Sequence, residues 1–304
     1  MGLSSDINTK QKYPRSKFSL TAGNYKLNLG TNTRIMGILN ITPDSFSGDG
    51  LYKTKTNNPE LRTAKIIEAA EKMAEDGADI IDVGGESTRP NAEPIAQDEE
   101  IKRVIPVIKL LSKKIALPIS IDTYKPEVAE QALDNGASIV NDITAISSQK
   151  MGSVIKKYNA AVVLMHMRGN PSNMQDNPEY ADLISEIASF LSSAVRRAMD
   201  AGISKSQIII DPGIGFGKTP RHNLEIINRL GELRDIDFPI LAGPSRKSFI
   251  GHIIDKKPGE RLFGTSAAIA MLIANGIHIV RVHDVGEISD VVKVSDAILN
   301  SSHE

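Results

Sequence analysis

The chain has no cysteine. That excludes disulfides, thiolate metal sites and cysteine nucleophiles, and it fits a reducing compartment. It also lacks a dominant sign of charge. Thirty-six basic against thirty-seven acidic side chains give a formal net charge of -1, so no global field favours nucleic acid or an anionic membrane surface. No window offers about eighteen uninterrupted apolar residues, and residues 1–12 lack the apolar stretch of a secretory signal. A cytoplasmic protein with no nucleic-acid or membrane partner is expected. The six histidines include no His-x-x-x-His pair, which argues against structural zinc.

What is present is a repeated grammar. Short apolar runs each finish in a polar residue: Ile80-Ile81-Asp82, Ile119-Ser120-Ile121-Asp122, Ile139-Val140-Asn141-Asp142, Val163-Leu164-Met165-His166, Ile208-Ile209-Ile210-Asp211 and Ile279-Val280-Arg281-Val282-His283. Strands are expected near 34–40, 79–84, 118–122, 138–142, 161–166, 207–211, 239–243 and 278–283. Helical patterns lie near 60–76, 97–112, 126–134, 150–158, 180–201, 221–234, 265–275 and 286–299. Gly77, Gly136, Gly202 and Gly276 each stand between a helical pattern and the next strand, where a left-handed C-cap favours glycine.

Eight βα units in 304 residues predict an α/β fold of the closed (β/α)8 TIM-barrel kind, with an open doubly wound sheet as the competing architecture. Residues 17–29 alternate apolar and polar positions around Gly23-Asn24, which predicts an N-terminal β-hairpin capping the barrel. One domain is expected over 1–304: a polar tail at 1–16, the hairpin at 17–30 and the barrel at 31–300. Two connections, Thr42–Asn58 and Gly84–Ala96, are long and polar, and both follow strands. Segments of that kind are functional or mobile, and mobility until a ligand orders them is expected here.

Asp122, Asn141 and Asp211 end three strands. Their carboxylates and amide can pair in-plane with the N–H and ring nitrogen edge of a flat, nitrogen-rich heterocycle. Ser245-Arg246-Lys247-Ser248 and Arg281-Val282-His283 put a cationic corner after the last two strands, where barrels of this type hold phosphate. Met165 and Phe216 are candidates to stack on a ring. The glycine run Gly213 to Lys218 is one residue short of a phosphate-binding P-loop and does not match a dinucleotide fingerprint. An Asn/Asp-rich stretch such as 40–49 suits at most a hard cation shared with a diphosphate. A Schiff-base aldolase acting through Lys247 is a competing possibility.

Seven segments together resemble the dihydropteroate synthase family. They are Gly37-Ile38-Leu39-Asn40-Ile41-Thr42-Pro43-Asp44-Ser45-Phe46-Ser47, Gly84-Gly85-Glu86-Ser87-Thr88-Arg89-Pro90, Ser120-Ile121-Asp122-Thr123, Asn141-Asp142, Asp211-Pro212-Gly213-Ile214-Gly215-Phe216-Gly217-Lys218, Ser245-Arg246-Lys247-Ser248-Phe249 and Arg281-Val282-His283-Asp284. The resemblance implies a TIM barrel and a transferase. Its reaction joins 6-hydroxymethyl-7,8-dihydropterin diphosphate to 4-aminobenzoate with Mg2+, sulfonamides inhibit it, and the enzyme is a homodimer.

Residue by residue, the resemblance gives the pterin to Asp122, Asn141, Met165, Asp211 and Lys247. It gives the diphosphate to Asn40, Arg281 and His283, with Asn40 on the metal. The aminobenzoate falls to Thr88, Pro90, Phe216, Lys247 and Ser248, and Arg89 joins Asp122, Asp211, Lys247 and Arg281 among the catalytic residues. The nearest rivals are a pterin-binding methyltransferase and a non-catalytic pterin-binding protein.

Overall fold

The computed structural model describes residues 15–41, 59–87, 93–170 and 173–301. It begins with an antiparallel hairpin, β1 (Phe18–Ala22) and β2 (Tyr25–Leu29), paired from Phe18↔Leu29 to Ala22↔Tyr25. Its turn is Gly23-Asn24, and Gly23 takes φ 57°, as a two-residue connection with glycine first requires.

Eight parallel strands follow: β3 (Arg34–Asn40), β4 (Ile80–Gly84), β5 (Ile119–Asp122), β6 (Ile139–Asp142), β7 (Ala161–Met165), β8 (Ile208–Asp211), β9 (Leu241–Ala242) and β10 (Ile279–Val282). Their order is β8-β7-β6-β5-β4-β3-β10-β9, and a parallel bridge between Ile210 and Ile240 joins the two ends. The sheet therefore closes, which decides for the barrel over the open sheet. The closing strand is the shortest. Pro239 has no N–H to give, and the Ile240 N–H goes to His278 Nδ1 at 3.1 Å instead of to a neighbouring strand.

Helices α1 (Pro59–Glu75), α2 (Gln97–Lys114), α3 (Pro126–Asp134), α4 (Gln149–Lys157), α5 (Leu183–Asp200), α6 (Pro220–Asn228), α7 (Ser248–Ile254), α8 (Leu262–Ala274) and α9 (Val285–Asn300) alternate with the strands. Gly77, Gly136, Gly202 and Gly276 all have positive φ, from 85° to 111°, at the helix-to-strand joints where the sequence puts them. Two expectations need correction. The helix expected over 221–234 ends at Asn228 and continues as a tighter 3-10 segment, Leu230–Ile236, and α7 is a short helix that the periodicity does not reveal. Thr42–Asn58 and residues 88–92 of the second connection lie outside the described residues, and with them the expectation that these segments are mobile.

Strand alternation separates two cores. Outward positions such as Ile35, Ile81, Val83, Ile121, Val140, Val162, Leu164, Ile210 and Val280 pack against the helices. Inward positions Met36, Ile80, Ile139, Ala161, Val163, Ile209, Leu241 and Ile279 form a second apolar cluster together with Leu20, Ala22 and Leu29 of the hairpin. The hairpin thus plugs the N-terminal mouth, as expected, and the Gly23 N–H donates to the Asn159 carbonyl at 2.9 Å. Further along the strands, the inward positions become Asn40, Asp82, Asp122, Asn141, Met165, Asp211 and Arg281, with Asn40 two inward steps beyond Met36 and level with Gly84. The barrel is dry at its closed end and polar at the other.

Candidate active site

Arg281 on β10 organises the polar end. Its Nε donates to Asp82 Oδ2 at 2.6 Å and its Nη2 to Asp122 Oδ2 at 2.6 Å. Asn141 Nδ2 donates to the same Asp82 oxygen at 3.2 Å. Burial pushes the Asp122 carboxyl up, and Arg281 opposes that rise. Burial likewise disfavours the Arg281 cation, but Asp82 and Asp122 hold it above its ordinary range. The second oxygens, Asp82 Oδ1 and Asp122 Oδ1, are buried with no hydrogen-bond partner among the described residues. A buried carboxylate oxygen without a partner is costly, and here two of them lie in the polar half of the barrel, on the neighbouring strands β4 and β5. Asp82 is a site residue that the sequence analysis missed. Its place at the polar end of the run Ile80-Ile81-Asp82, the same pattern that marks Asp122 and Asp211, was the available signal.

Asp142, beside Asn141, points the other way. Its carboxylate accepts from the Thr144 N–H, the Thr144 hydroxyl and the Ile146 N–H, so it folds the loop after β6.

Asp211 closes β8 and starts the glycine-rich turn. Its Oδ1 accepts the Gly213 N–H at 2.7 Å. Burial pushes the Asp211 carboxyl up to about 6, against the Gly213 amide and the cations Lys218, Lys247 and Arg281. Gly213 has φ 69°, and a Cβ there would stand 1.9 Å from the His166 carbonyl, so only glycine fits. The turn is tied down at further points: Gly215 N–H to Asn223 Oδ1 at 2.7 Å, Gln175 Nε2 to the Gly215 carbonyl at 3.0 Å, and the Tyr180 hydroxyl to the Gly217 carbonyl at 2.7 Å. The product of this bracing is a fixed Phe216. It forms an apolar wall with Met165, Ile143 and Met174, and Lys247 Nζ sits 4.1 Å from its ring centroid, within cation–π range.

The corner after β9 and β10 is more divided than the sequence implies. Ser245 Oγ lies 3.0 Å from His283 Nδ1 and accepts the His283 N–H at 3.2 Å, while Lys247 turns to Phe216 and Ser248 opens α7. Arg246 is committed elsewhere: its guanidinium pairs with Asp284, its N–H donates to Thr265 Oγ1 at 3.2 Å, and its φ is 58°. It is a structural residue of the loop. On β3, Asn40 Oδ1 lies over Gly84, where a Cβ would approach it to 3.2 Å.

The second long connection is pinned on both sides by Lys125. Its Nζ bonds Glu86 Oε2 at 2.5 Å, the Ile95 carbonyl at 2.8 Å and Glu100 Oε2 at 2.7 Å. Thr88, Arg89 and Pro90, between those anchors, lie outside the described residues. The structure therefore brings Asn40, Asp122, Asn141, Met165, Asp211, Phe216, Lys247, Ser248, Arg281 and His283 to one end of the barrel.

The family model described as "Pterin binding enzyme" matches residues 36–283. A dihydropteroate synthase from Synechocystis is 46% identical over 281 residues, covering 92% of this chain and 94% of its own. The chain belongs to the dihydropteroate synthase family. Among solved structures, the Yersinia pestis dihydropteroate synthase in complex with a sulfonamide drug superposes with a TM-score of 0.87 at 37% identity, covering 93% of this chain and all of that one. The Xanthomonas albilineans dihydropteroate synthase with 4-aminobenzoic acid gives a TM-score of 0.85 at 37% identity, with 94% and 100% covered. Family members thus share this barrel along nearly its whole length.

Proposed function

We infer that the polar mouth of this barrel carries out the dihydropteroate synthase reaction. It joins 6-hydroxymethyl-7,8-dihydropterin diphosphate to 4-aminobenzoate and releases diphosphate. The single observation that carries this is a set of buried hydrogen-bonding groups around the Arg281 cation, in a chain whose family binds pterins. Asp122, Asn141, Asp211 and Lys247 would bind the edge of the pterin ring, with Met165 against its face. Asn40, Arg281 and His283 would hold the diphosphate. Thr88, Pro90, Phe216, Lys247 and Ser248 would frame the aminobenzoate, and Arg89 would come from the same connection as Thr88.

The proposed chemistry is dissociative substitution. The C–O bond of the pterin methylene breaks, its electron pair leaves with the diphosphate, and positive charge spreads into the pterin. An ionised Asp211 beside the ring stabilises that charge, and the Arg281 guanidinium, with two of its five donors engaged by carboxylates, has donors for the departing oxygens. The arylamine nitrogen then bonds to the methylene carbon and gives up a proton to solvent. Such a reaction needs no strong nucleophile, and the amine is uncharged near neutral pH.

Mg2+ is the proposed metal. Among the described residues no three His, Asp or Glu side chains gather as ligands, so the protein would give it the Asn40 carboxamide oxygen, beside the space that Gly84 leaves clear, and the diphosphate would give the rest. That donor set suits a hard, oxygen-seeking cation. When bound, the ion supplies positive charge to the leaving group.

A cytoplasmic homodimer is part of the same proposal. Leu224 on α6, Ile253 on α7, and Phe263 and Met271 on α8 are exposed, Phe263 at 87%, and these helices adjoin one another. A second copy of the chain is the partner proposed for that face. No helix among the described residues is long and apolar enough to cross a membrane.

Mass spectrometry of the reaction product tests the function. Dihydropteroate should form when both substrates and Mg2+ are present. Pterin binding without turnover, or methyl transfer in its place, would contradict the assignment.

A further inference from the structure

The glycine-rich turn after β8 is held from behind by a buried amine that the proposed reaction does not use. Lys218 is 2% exposed. Its Nζ lies 3.0 Å from His166 Nδ1, 2.9 Å from the Phe216 carbonyl and 3.4 Å from the His166 carbonyl. Three acceptors match the three N–H donors of an ammonium. Burial, and then Lys218, hold the His166 imidazole down to about 3, so it is neutral, with Nδ1 as acceptor and the ring proton on Nε2. Edge-on packing against Phe190, with ring centroids 4.9 Å apart, sets the ring's orientation.

This junction joins two walls of the pocket. His166 directly follows Met165 of β7, and its N–H donates to the Asp211 carbonyl at 2.8 Å. Phe216 sits on the turn, and its ring belongs to the same apolar cluster as Met165. One ammonium therefore spans from the end of β7 to the crest of the turn.

Its charge also bears on the site. The Lys218 cation and the Asp211 carboxylate favour each other's ionised forms. The other charged groups acting on Asp211 are Lys247, after β9, and Arg281 of β10. On Lys218, Lys247 acts in the opposite sense to Asp211, and burial pulls the amine down to about 7. Two histidines also feel the Lys218 charge: His166, which stays neutral through this range, and His222 on α6, whose imidazole burial and the lysine both hold below its ordinary value.

We propose that Lys218 is a positioning residue for the reaction: it ties β7 to the glycine-rich turn so that Met165 and Phe216 enclose the substrates, and it keeps a cation behind Asp211. The positional half rests on the function proposed above. The charge half needs no ligand at all.

Carboxyl carbon-13 NMR titration of the substrate-free protein tests the charge half, with the Asp211 signal assigned through Asp211→Asn. Lys218→Met, with its fold checked by circular dichroism, should raise the Asp211 midpoint, and Lys218→Arg should bring it back. In turnover, Lys218→Met should raise the KM for 4-aminobenzoate about tenfold with a smaller change in kcat, the signature of a displaced wall. An Asp211 midpoint that does not rise, or an aminobenzoate KM that stays at the wild-type value, overturns the inference. Should Lys218→Met fail to fold, the reciprocal measurement stands: Lys218 in the Asp211→Asn protein should titrate at lower pH than in wild type, and an unchanged midpoint overturns the inference. Coupling between Lys218 and Asp211 in a wild-type protein that makes no dihydropteroate would contradict the proposed function and leave the charge half intact.

Discussion

Arg281 and Asp82 meet across the intervening strand β3, with Nε 2.6 Å from Oδ2 of a carboxylate that has no solvent exposure. The same guanidinium reaches Asp122 at 2.6 Å, so one cation is shared by two buried acids of neighbouring strands. Removing Asp82 leaves a mostly buried cation with one partner in place of two. Asp82→Ala should therefore lower stability by about 3 kcal/mol, in the range for breaking a buried ion pair. Asp82→Asn, which keeps an acceptor, should cost less. Urea unfolding of the substrate-free proteins checks this, and a loss below about 1 kcal/mol for Asp82→Ala would show that Asp122 alone satisfies Arg281.

Asp211→Asn should separate catalysis from folding. The carboxylate lies at the mouth and contributes little packing, yet it is placed to oppose positive charge on the ring. A fall in kcat/KM of about a hundredfold or more is expected, equivalent to about 2.7 kcal/mol of lost transition-state stabilisation. Circular dichroism and thermal melting should stay close to wild type. Near-normal turnover in a folded Asp211→Asn protein would remove Asp211 from the mechanism.

Acidification should move activity and the Asp211 contribution to stability in opposite directions. With its carboxyl raised to about 6 by burial, the folded chain binds more protons at this site than the unfolded chain does, from about pH 4, the ordinary range of an aspartate, up to about 6. The contribution of Asp211 to stability is therefore largest below about pH 4 and falls as pH rises through 6. Turnover needs the ionised form, so kcat/KM should rise through that same window. A pH profile of kcat/KM from 5 to 8 is the check, and a flat profile across 5 to 7 would contradict the assigned role.

Gly84→Ala tests the proposed metal position. The added Cβ would lie 3.2 Å from Asn40 Oδ1 and 3.6 Å from Asp122 Cβ, so Asn40 must give way while the strand keeps its hydrogen bonds. The Mg2+ concentration for half-maximal rate should rise several-fold, on the order expected for a disturbed ligand, with little change in unfolding. An unaltered Mg2+ requirement would take Asn40 off the metal.

Much of this fold is legible in the sequence because period-two alternation and the glycine joints are local signals. Ile119-Ser120-Ile121-Asp122 and Ile208-Ile209-Ile210-Asp211 state both that a strand is buried and where it ends, and Gly77, Gly136, Gly202 and Gly276 mark where four of the helices stop. Pairings between distant strands are not local. That Arg281 binds Asp82 and Asp122 follows from the pairing of the first barrel strand, β3, with the last, β10, and no spacing along the chain encodes it. Arg246 illustrates the same limit, since Arg246 and Lys247 read as one cationic pair, while the positive φ of Arg246 and its bond to Asp284 turn it away. The short helix α7 escapes notice because Ser248 to Ile254 is too brief for a helical period to stand out. Lys218 reads as the end of a glycine motif, and only burial against His166 reveals what it holds.

Diphosphate release, measured with and without 4-aminobenzoate, tests the central claim most directly. With the pterin diphosphate, Mg2+ and the wild-type chain, release should be slow alone and should rise with added 4-aminobenzoate, one diphosphate appearing for each dihydropteroate formed. Release that ignores the arylamine, or its absence when both substrates are supplied, would contradict the assignment of this barrel as a dihydropteroate synthase.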